Sequence, residues 1–318
     1  MSVVASAPGK LMLAGEYVVV AAGAPAIATA VDLRLSVRCE SGGQGWRVNS
    51  PGLGLAEVPV AEVPLLEAVV ERFAPAGTSG ALSVESALGV GPEKPGLGSS
   101  AALVVAASAA VMREFGGSTP PLEELIACHR AGQGGGSGYD VATSLLGGVC
   151  LFQSRGGDFS ARAVQWPDGL AARVVHFGAG VSSAGQLHKL RSAMERDPEA
   201  VGIALDQQCA AAVAVEAGLK SGGPELLSLL AHHERTLIGL DRAARLGIES
   251  PAYRGVVERL GSGPAILRTA GAGAGDSAWI LAPSDQQLEP ALASLTEAGY
   301  GLLDLRVGGP GLEIEEER

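Results

Sequence analysis

The feature that most restricts this chain is an uncharged run from Pro95 to Met112, "PGLGSSAALVVAASAAVM". A stretch of that length without a charge must be kept from water, in a bilayer or in a protein core. It opens with Pro, two Gly and two Ser, and Ala and Ser dilute its hydrophobicity. A buried helix is therefore expected, and no membrane segment. The 318 residues are 47% hydrophobic, enough for about two domains that fold without staples. A net charge of -11 argues against nucleic-acid or anionic-membrane partners, which need a surplus of Lys and Arg, and leaves a small anionic ligand in a local cationic cleft. Cys39, Cys128, Cys150 and Cys209 lie far apart with neither C-x-x-C nor zinc spacing, so reduced thiols in a cytoplasmic protein are expected. Met1 to Lys10 has no basic segment ahead of an apolar one and does not read as a secretory signal.

The first third reads as strands at Leu11–Val20, Ala26–Arg38 and Ala81–Ser86. The pattern then turns helical. Thr119 with Pro120 and Pro121, the acidic pair Glu123 and Glu124, and His129 and Arg130 ahead of Gly132 mark one helix at both ends. Gly134 to Gly138 is a glycine loop, and Gly147 to Phe152 a return strand. Later helices start at Asp197-Pro198, Pro224, Ser250-Pro251 and about Asp285, ending near Lys220, Gly247, Gly261 and Ala298. Strands are expected at Arg173–Phe177, Ala265–Thr269, Ser277–Leu281 and Gly301–Val307. The class is α+β, with turn chemistry at "QWPDG", Gln165 to Gly169, dividing the chain into 1–166 and 167–318.

Gly96-Leu97-Gly98-Ser99-Ser100 ahead of a helix suits a phosphate, because glycines admit close approach and the helix start presents unpaired N–H groups. A Walker A loop is excluded: Leu97 stands where lysine is required, and no Lys-Ser/Thr follows. A dinucleotide fingerprint fits formally as Gly96-x-Gly98-x-x-Ala101, but the preceding "GVGPEKP" reads as a loop where a strand is needed. Ser99 and Ser100 also suit plain helix capping, as does Asp140 after its glycine loop.

Two more stretches accompany this one: "APGKLMLAGEYVVV", Ala7 to Val20, and "TAGAGAGDSAWIL", Thr269 to Leu281. Together the three resemble, in order and position, the signature motifs of the GHMP kinases. Within that family "GEYVVV", "KPGLGSSAAL", "GSGYDVATSLLGG" and "GAGAGD" are most similar to phosphomevalonate kinases, with homoserine kinase the poorest fit. The resemblance implies a two-domain α+β fold, its N-terminal domain like ribosomal protein S5 domain 2 and its C-terminal domain ferredoxin-like. It implies ATP and Mg²⁺ as cofactors, a small-molecule acceptor (5-phosphomevalonate or mevalonate), no nucleic-acid or membrane partner, and a monomer or homodimer. Related chemistries are an ATP-dependent diphosphomevalonate decarboxylase of the same fold and a nucleotide-binding protein without turnover.

The same resemblance implies the site residues. Gly96, Leu97, Gly98, Ser99, Ser100 and Ala101 would hold the nucleotide, with Ser100 also a metal ligand. Asp140 would accept the acceptor's proton, with Lys10 the cation keeping it ionised. Glu16, Tyr17, Ser137, Gly138, Lys189, Arg191, Gly273 and Ala274 would bind substrate, although Glu16 on a buried strand also suits a structural partner. Eleven residues before Asp140, where mevalonate kinases carry a metal-binding glutamate, this chain has His129, a poor magnesium ligand. The glycine loop Gly134–Gly136 lacks the lysine that phosphomevalonate kinases carry there.

Overall fold

The computed structural model describes residues 2–21, 23–89, 95–155, 158–178, 183–273 and 277–317. The first half contains β1 (Ser2–Ala14), α1 (Val18–Ala21), β2 (Ala26–Ser41), β3 (Trp46–Ser50), β4 (Leu55–Pro59), α2 (Pro64–Phe73) and β5 (Gly80–Ser86). It continues through α3 (Ser99–Glu114), α4 (Leu122–Gln133), α5 (Tyr139–Leu146), β6 (Val149–Arg155) and β7 (Asp158–Val164). The second half contains β8 (Ala171–His176), α6 (Ser183–Arg196), α7 (Pro198–Gly218), α8 (Gly223–Ala244) and α9 (Pro251–Leu260). It ends with β9 (Ile266–Thr269), β10 (Ser277–Ala282), α10 (Asp285–Glu297), β11 (Gly301–Leu303) and β12 (Glu313–Glu317). The mixed α+β architecture agrees with the sequence.

The strands form two sheets. The larger runs β12-β1-β2-β5-β3-β4, with β6 and β7 attached through β2; the smaller runs β11-β8-β10-β9. Strands of the small sheet pair antiparallel, whereas β3 and β5 pair parallel. The last strand, β12, does not stay with the second sheet but pairs antiparallel with β1, Ser2 opposite Glu317.

The uncharged run becomes α3, which lies across β1 and β2 and is buried continuously from Ala101 to Val111. Its alanines let helix and sheet approach closely, so this face of the core is filled by backbone and small side chains. The one helix long and apolar enough to cross a membrane among the described residues is α7, which packs along α8. Prolines and capping side chains start the later helices as their sequences dictate: Asp197 accepts from the Ala200 N–H and Ser250 from the Tyr253 N–H. All four cysteines are free, and burial pushes the thiols of Cys128 and Cys150 up to about 11 and that of Cys39 to about 12.

The structure corrects the first strand. Leu11–Val20 was expected; β1 instead starts at Ser2 and stops at Ala14, and Val18–Ala21 is a turn of helix. The cause is local. Gly15 sits at φ +101° with its Cα against the Pro25 carbonyl, where a Cβ would lie 2.3 Å from that oxygen, and Tyr17 follows at φ +65°. Both conformations end a strand, whatever the β-propensity of the valines beyond.

Candidate active site

Lys10 follows an irregularity in the β1–β2 pairing. The pairing runs Pro8 opposite Arg34 and then Lys10 opposite Ala30, so extra residues of β2 are passed over at Gly9 and β2 bulges there. Gly9 is packed so tightly there that a Cβ would lie 2.6 Å from Leu88 and 2.8 Å from the Leu97 carbonyl. The Lys10 N–H donates to that carbonyl at 2.7 Å, which joins the first motif to the second. The Lys10 side chain is 7% exposed; it lies under Gly98, where a Cβ would meet its Cε at 2.7 Å, and its ammonium stands 5.4 Å from the Tyr139 ring centre. Gly98 takes φ +76° and begins α3 without a side-chain cap, so the hydroxyls of Ser99 and Ser100 do not close the first turn of the helix. Its N–H groups and dipole remain available to an anion. Leu97 and Ala101 are buried behind this loop.

The Ser100 hydroxyl stands 3.3 Å from Nε2 of His129, a buried side chain of α4. The residue eleven before Asp140 thus faces the serine expected to bind metal. Toward Mg²⁺ this pair offers one suitable donor, the hydroxyl oxygen; imidazole is a poor match for so hard a cation. Among the described residues there is no cluster of three or more His, Cys, Asp or Glu side chains suited to a metal. The donor set therefore fits an ion held mainly by phosphate oxygens and water, with Ser100 as the protein's contribution.

Asp140 lies in the first turn of α5, half-buried, behind Gly138 at φ +99°, and its Oδ1 accepts from the Val141 N–H at 3.0 Å. Gly138 is wedged against Ile126, which a Cβ would meet at 2.7 Å, and Arg130 ties down the loop before it by donating to the carbonyls of Gly136 and Ser137. Tyr139, adjacent to Asp140, is raised in pKa by burial, with Lys10 opposing. The sequence drew no attention to this tyrosine; its place between a glycine loop and the aspartate was the available signal.

One pocket is lined by Lys10 and Leu11, Pro95 and Gly96, Tyr139, Ala270 to Ala272, and Ser277. Each of the three motifs supplies part of its wall. The Ala270–Ala272 turn is fixed to β1, since Met12 N–H donates to the Ala270 carbonyl at 3.1 Å, and Ser277 reaches the Pro95 carbonyl at 2.9 Å. Tyr17 donates from its hydroxyl to the Ala272 carbonyl at 2.5 Å, and burial, then Glu16, raise its pKa. Gly273 sits at φ +73° against Ile248. Ala274 and Gly275 lie outside the described residues.

Three other expected substrate contacts are elsewhere. Glu16 is buried beneath the pocket, bonded to Arg268, with Nε2 of His233 3.8 Å from the same oxygen. Burial raises its pKa to about 6, with Arg268 opposing. Lys189 donates to the Leu246 carbonyl at 3.1 Å, Arg191 is exposed on α6, and neither lines the pocket. Arg268 and Glu234, the buried charges beneath the third motif, were not singled out in the sequence, where nothing distinguishes them from surface residues.

Comparison with known proteins matches this arrangement. Residues 64–148 fit the model of the GHMP kinases N terminal domain. The chain is 31% identical to the mevalonate kinase of Archaeoglobus fulgidus, over 85% of this chain and 90% of that protein. It is 30% identical to the phosphomevalonate kinase of Streptomyces sp., over 86% and 88%. The Streptococcus pneumoniae phosphomevalonate kinase, solved with phosphomevalonate and AMPPNP, superposes with a TM-score of 0.79 at 18% identity, over 96% of this chain and 99% of that one. With the fold, the three motifs around one pocket and relatives of this identity and coverage, the chain belongs to the GHMP kinase family.

Proposed function

We propose that this protein transfers the γ-phosphoryl group of ATP to a mevalonate-type acid. The observation that carries the reading is the convergence of Lys10, Gly96, Tyr139 beside Asp140, and Ala270–Ala272 on one pocket. In phosphoryl transfer the protein mainly positions the groups and neutralises charge. The N–H groups at Gly98–Ser100 receive the phosphates, aided by the helix dipole. Lys10, kept nearly dry between this loop and Tyr139, places a positive charge beside the transferred group, where low dielectric strengthens it. Asp140 takes the proton of the acceptor hydroxyl. Magnesium bound with the nucleotide would neutralise phosphate charge, and Ser100 is the residue that would hold it.

Mevalonate as the acceptor is supported by the Archaeoglobus fulgidus relative, a mevalonate kinase. The second reading, 5-phosphomevalonate, is supported by the wording of the motifs around Tyr17 and Asp140 and by the Streptomyces relative. Incubating purified protein with Mg·ATP and mevalonate, 5-phosphomevalonate or diphosphomevalonate, and weighing the products, separates the possibilities. ADP with one added phosphoryl group on either of the first two acids is expected. Carbon dioxide would mark the decarboxylase, and ATP binding without ADP would overturn the kinase reading.

A further inference from the structure

Arg268 is fully buried in β9, yet its guanidinium reaches three elements at once. Nε donates to the Leu13 carbonyl at 2.9 Å, on the strand that carries Lys10. Nη2 bonds to the Glu16 carboxylate, just past the end of that strand. Nη1 donates to Glu234 of α8 at 2.7 Å and to the Thr269 carbonyl at 2.7 Å. Glu234 in turn accepts from the Tyr253 hydroxyl and from both the N–H and the hydroxyl of Thr269. Burial opposes the charge on Arg268, but Glu16 and Glu234 outweigh it and hold the guanidinium above its ordinary pKa.

This fork therefore joins β1 of the large sheet to β9 of the small one, next in sequence to residues that line the pocket. Thr269 leads directly into Ala270–Ala272, and Leu13 lies three residues from Lys10; both Lys10 and Ala270–Ala272 line the pocket. A well-packed apolar group could fill the same space with equal or greater stability, so buried charge alone is not what the position requires. A planar fork of directed N–H donors supplies something else, a fixed spacing between the elements it bridges.

We propose that Arg268 is a positioning residue for phosphoryl transfer, setting the distance between the Lys10 strand and the Ala270–Gly273 turn across the two sheets. The proposal rests on the kinase reading of the pocket, and its test separates the two. In Arg268→Lys the charge stays but one ammonium cannot serve Leu13, Glu16 and Glu234 together. The expected results are a circular dichroism spectrum like that of the wild type and faster hydrogen exchange at the Met12 amide, which donates to Ala270, with the β5 amides unchanged. ADP release falls on the order of tenfold to a hundredfold in kcat, with a smaller change in KM for ATP. Unchanged Met12 exchange and kcat alongside a lowered Tm would overturn the proposal, because a purely structural role predicts that pattern. If the wild type shows no turnover, the kinase reading fails while the exchange measurement still decides the role of Arg268. Should Arg268→Lys not fold, Glu16→Gln, which keeps the shape and removes one charge, is read by the same exchange and kcat criteria.

Discussion

Lys10 is fixed from three directions: its N–H by the Leu97 carbonyl, its stem by Gly98, and its ammonium by the Tyr139 ring. A flexible side chain so confined has lost most of its rotamers before any ligand arrives, which is how a site pre-organises charge. Asp140, in contrast, is only half-buried, and among the described residues its carboxylate takes a hydrogen bond from the adjacent Val141 N–H. Replacing it should therefore change chemistry more than structure. In Asp140→Asn, ADP release is expected to fall by about 10²- to 10⁴-fold while the Kd for ATP moves less than about threefold. Parallel turnover and equilibrium-binding assays check this, and unimpaired turnover refutes the proton-acceptor role. Lys10 and Asp140 were singled out in the sequence through the motifs that resemble the family, and the structure places Lys10 in the pocket lining. Arg268 and Glu234 were not, since a buried ion pair draws its meaning from partners brought together only by folding.

Among the elements, α3 illustrates what composition alone can establish. Its lack of charge required burial, and its small side chains fixed how near the sheet it could come. Ala106 has no exposed surface, so Ala106→Leu should lower stability by about 1–3 kcal/mol through overpacking, measured by urea unfolding. An unchanged midpoint would mean that the helix can retreat from the sheet. Helices with a cap and a proline, such as α7 and α9, were readable for the same local reason: their start signals act within one turn. The strands were less so. β12 carries exposed charges around a single apolar Ile314, and it exists because β1 offers a ladder to join. Gly301–Val307 shortens to Gly301–Leu303.

On the scale of the whole molecule, the two sheets meet over a network with two carboxylates, Glu16 and Glu234, around one guanidinium. Burial lifts Glu16 from its ordinary 4.5 to about 6, and its Oε1 has no hydrogen-bond partner among the described residues. Because the folded state binds this proton more tightly than the unfolded chain, the associated stability is complete below about pH 4.5 and is lost as pH rises through about 6. The amount is on the order of 2 kcal/mol. Denaturant unfolding of the wild type and of Glu16→Gln from pH 4 to 7 should show their stability difference changing across that window; a constant difference would place the titration elsewhere. The α+β class was visible in the sequence from the order of helix and strand signals.

The pairing of β12 with β1 also bears on how the molecule comes into being. The strand that carries Lys10 borders β2 on one side from early in synthesis, but its other neighbour is made only after both sheets and every helix between them. Until then β1 is an open sheet edge, a template for wrong partners as well as the right one. The edge of the strand that carries Lys10 is thus closed by a pairing distant in sequence, and any delay in supplying β12 leaves that edge open to self-association.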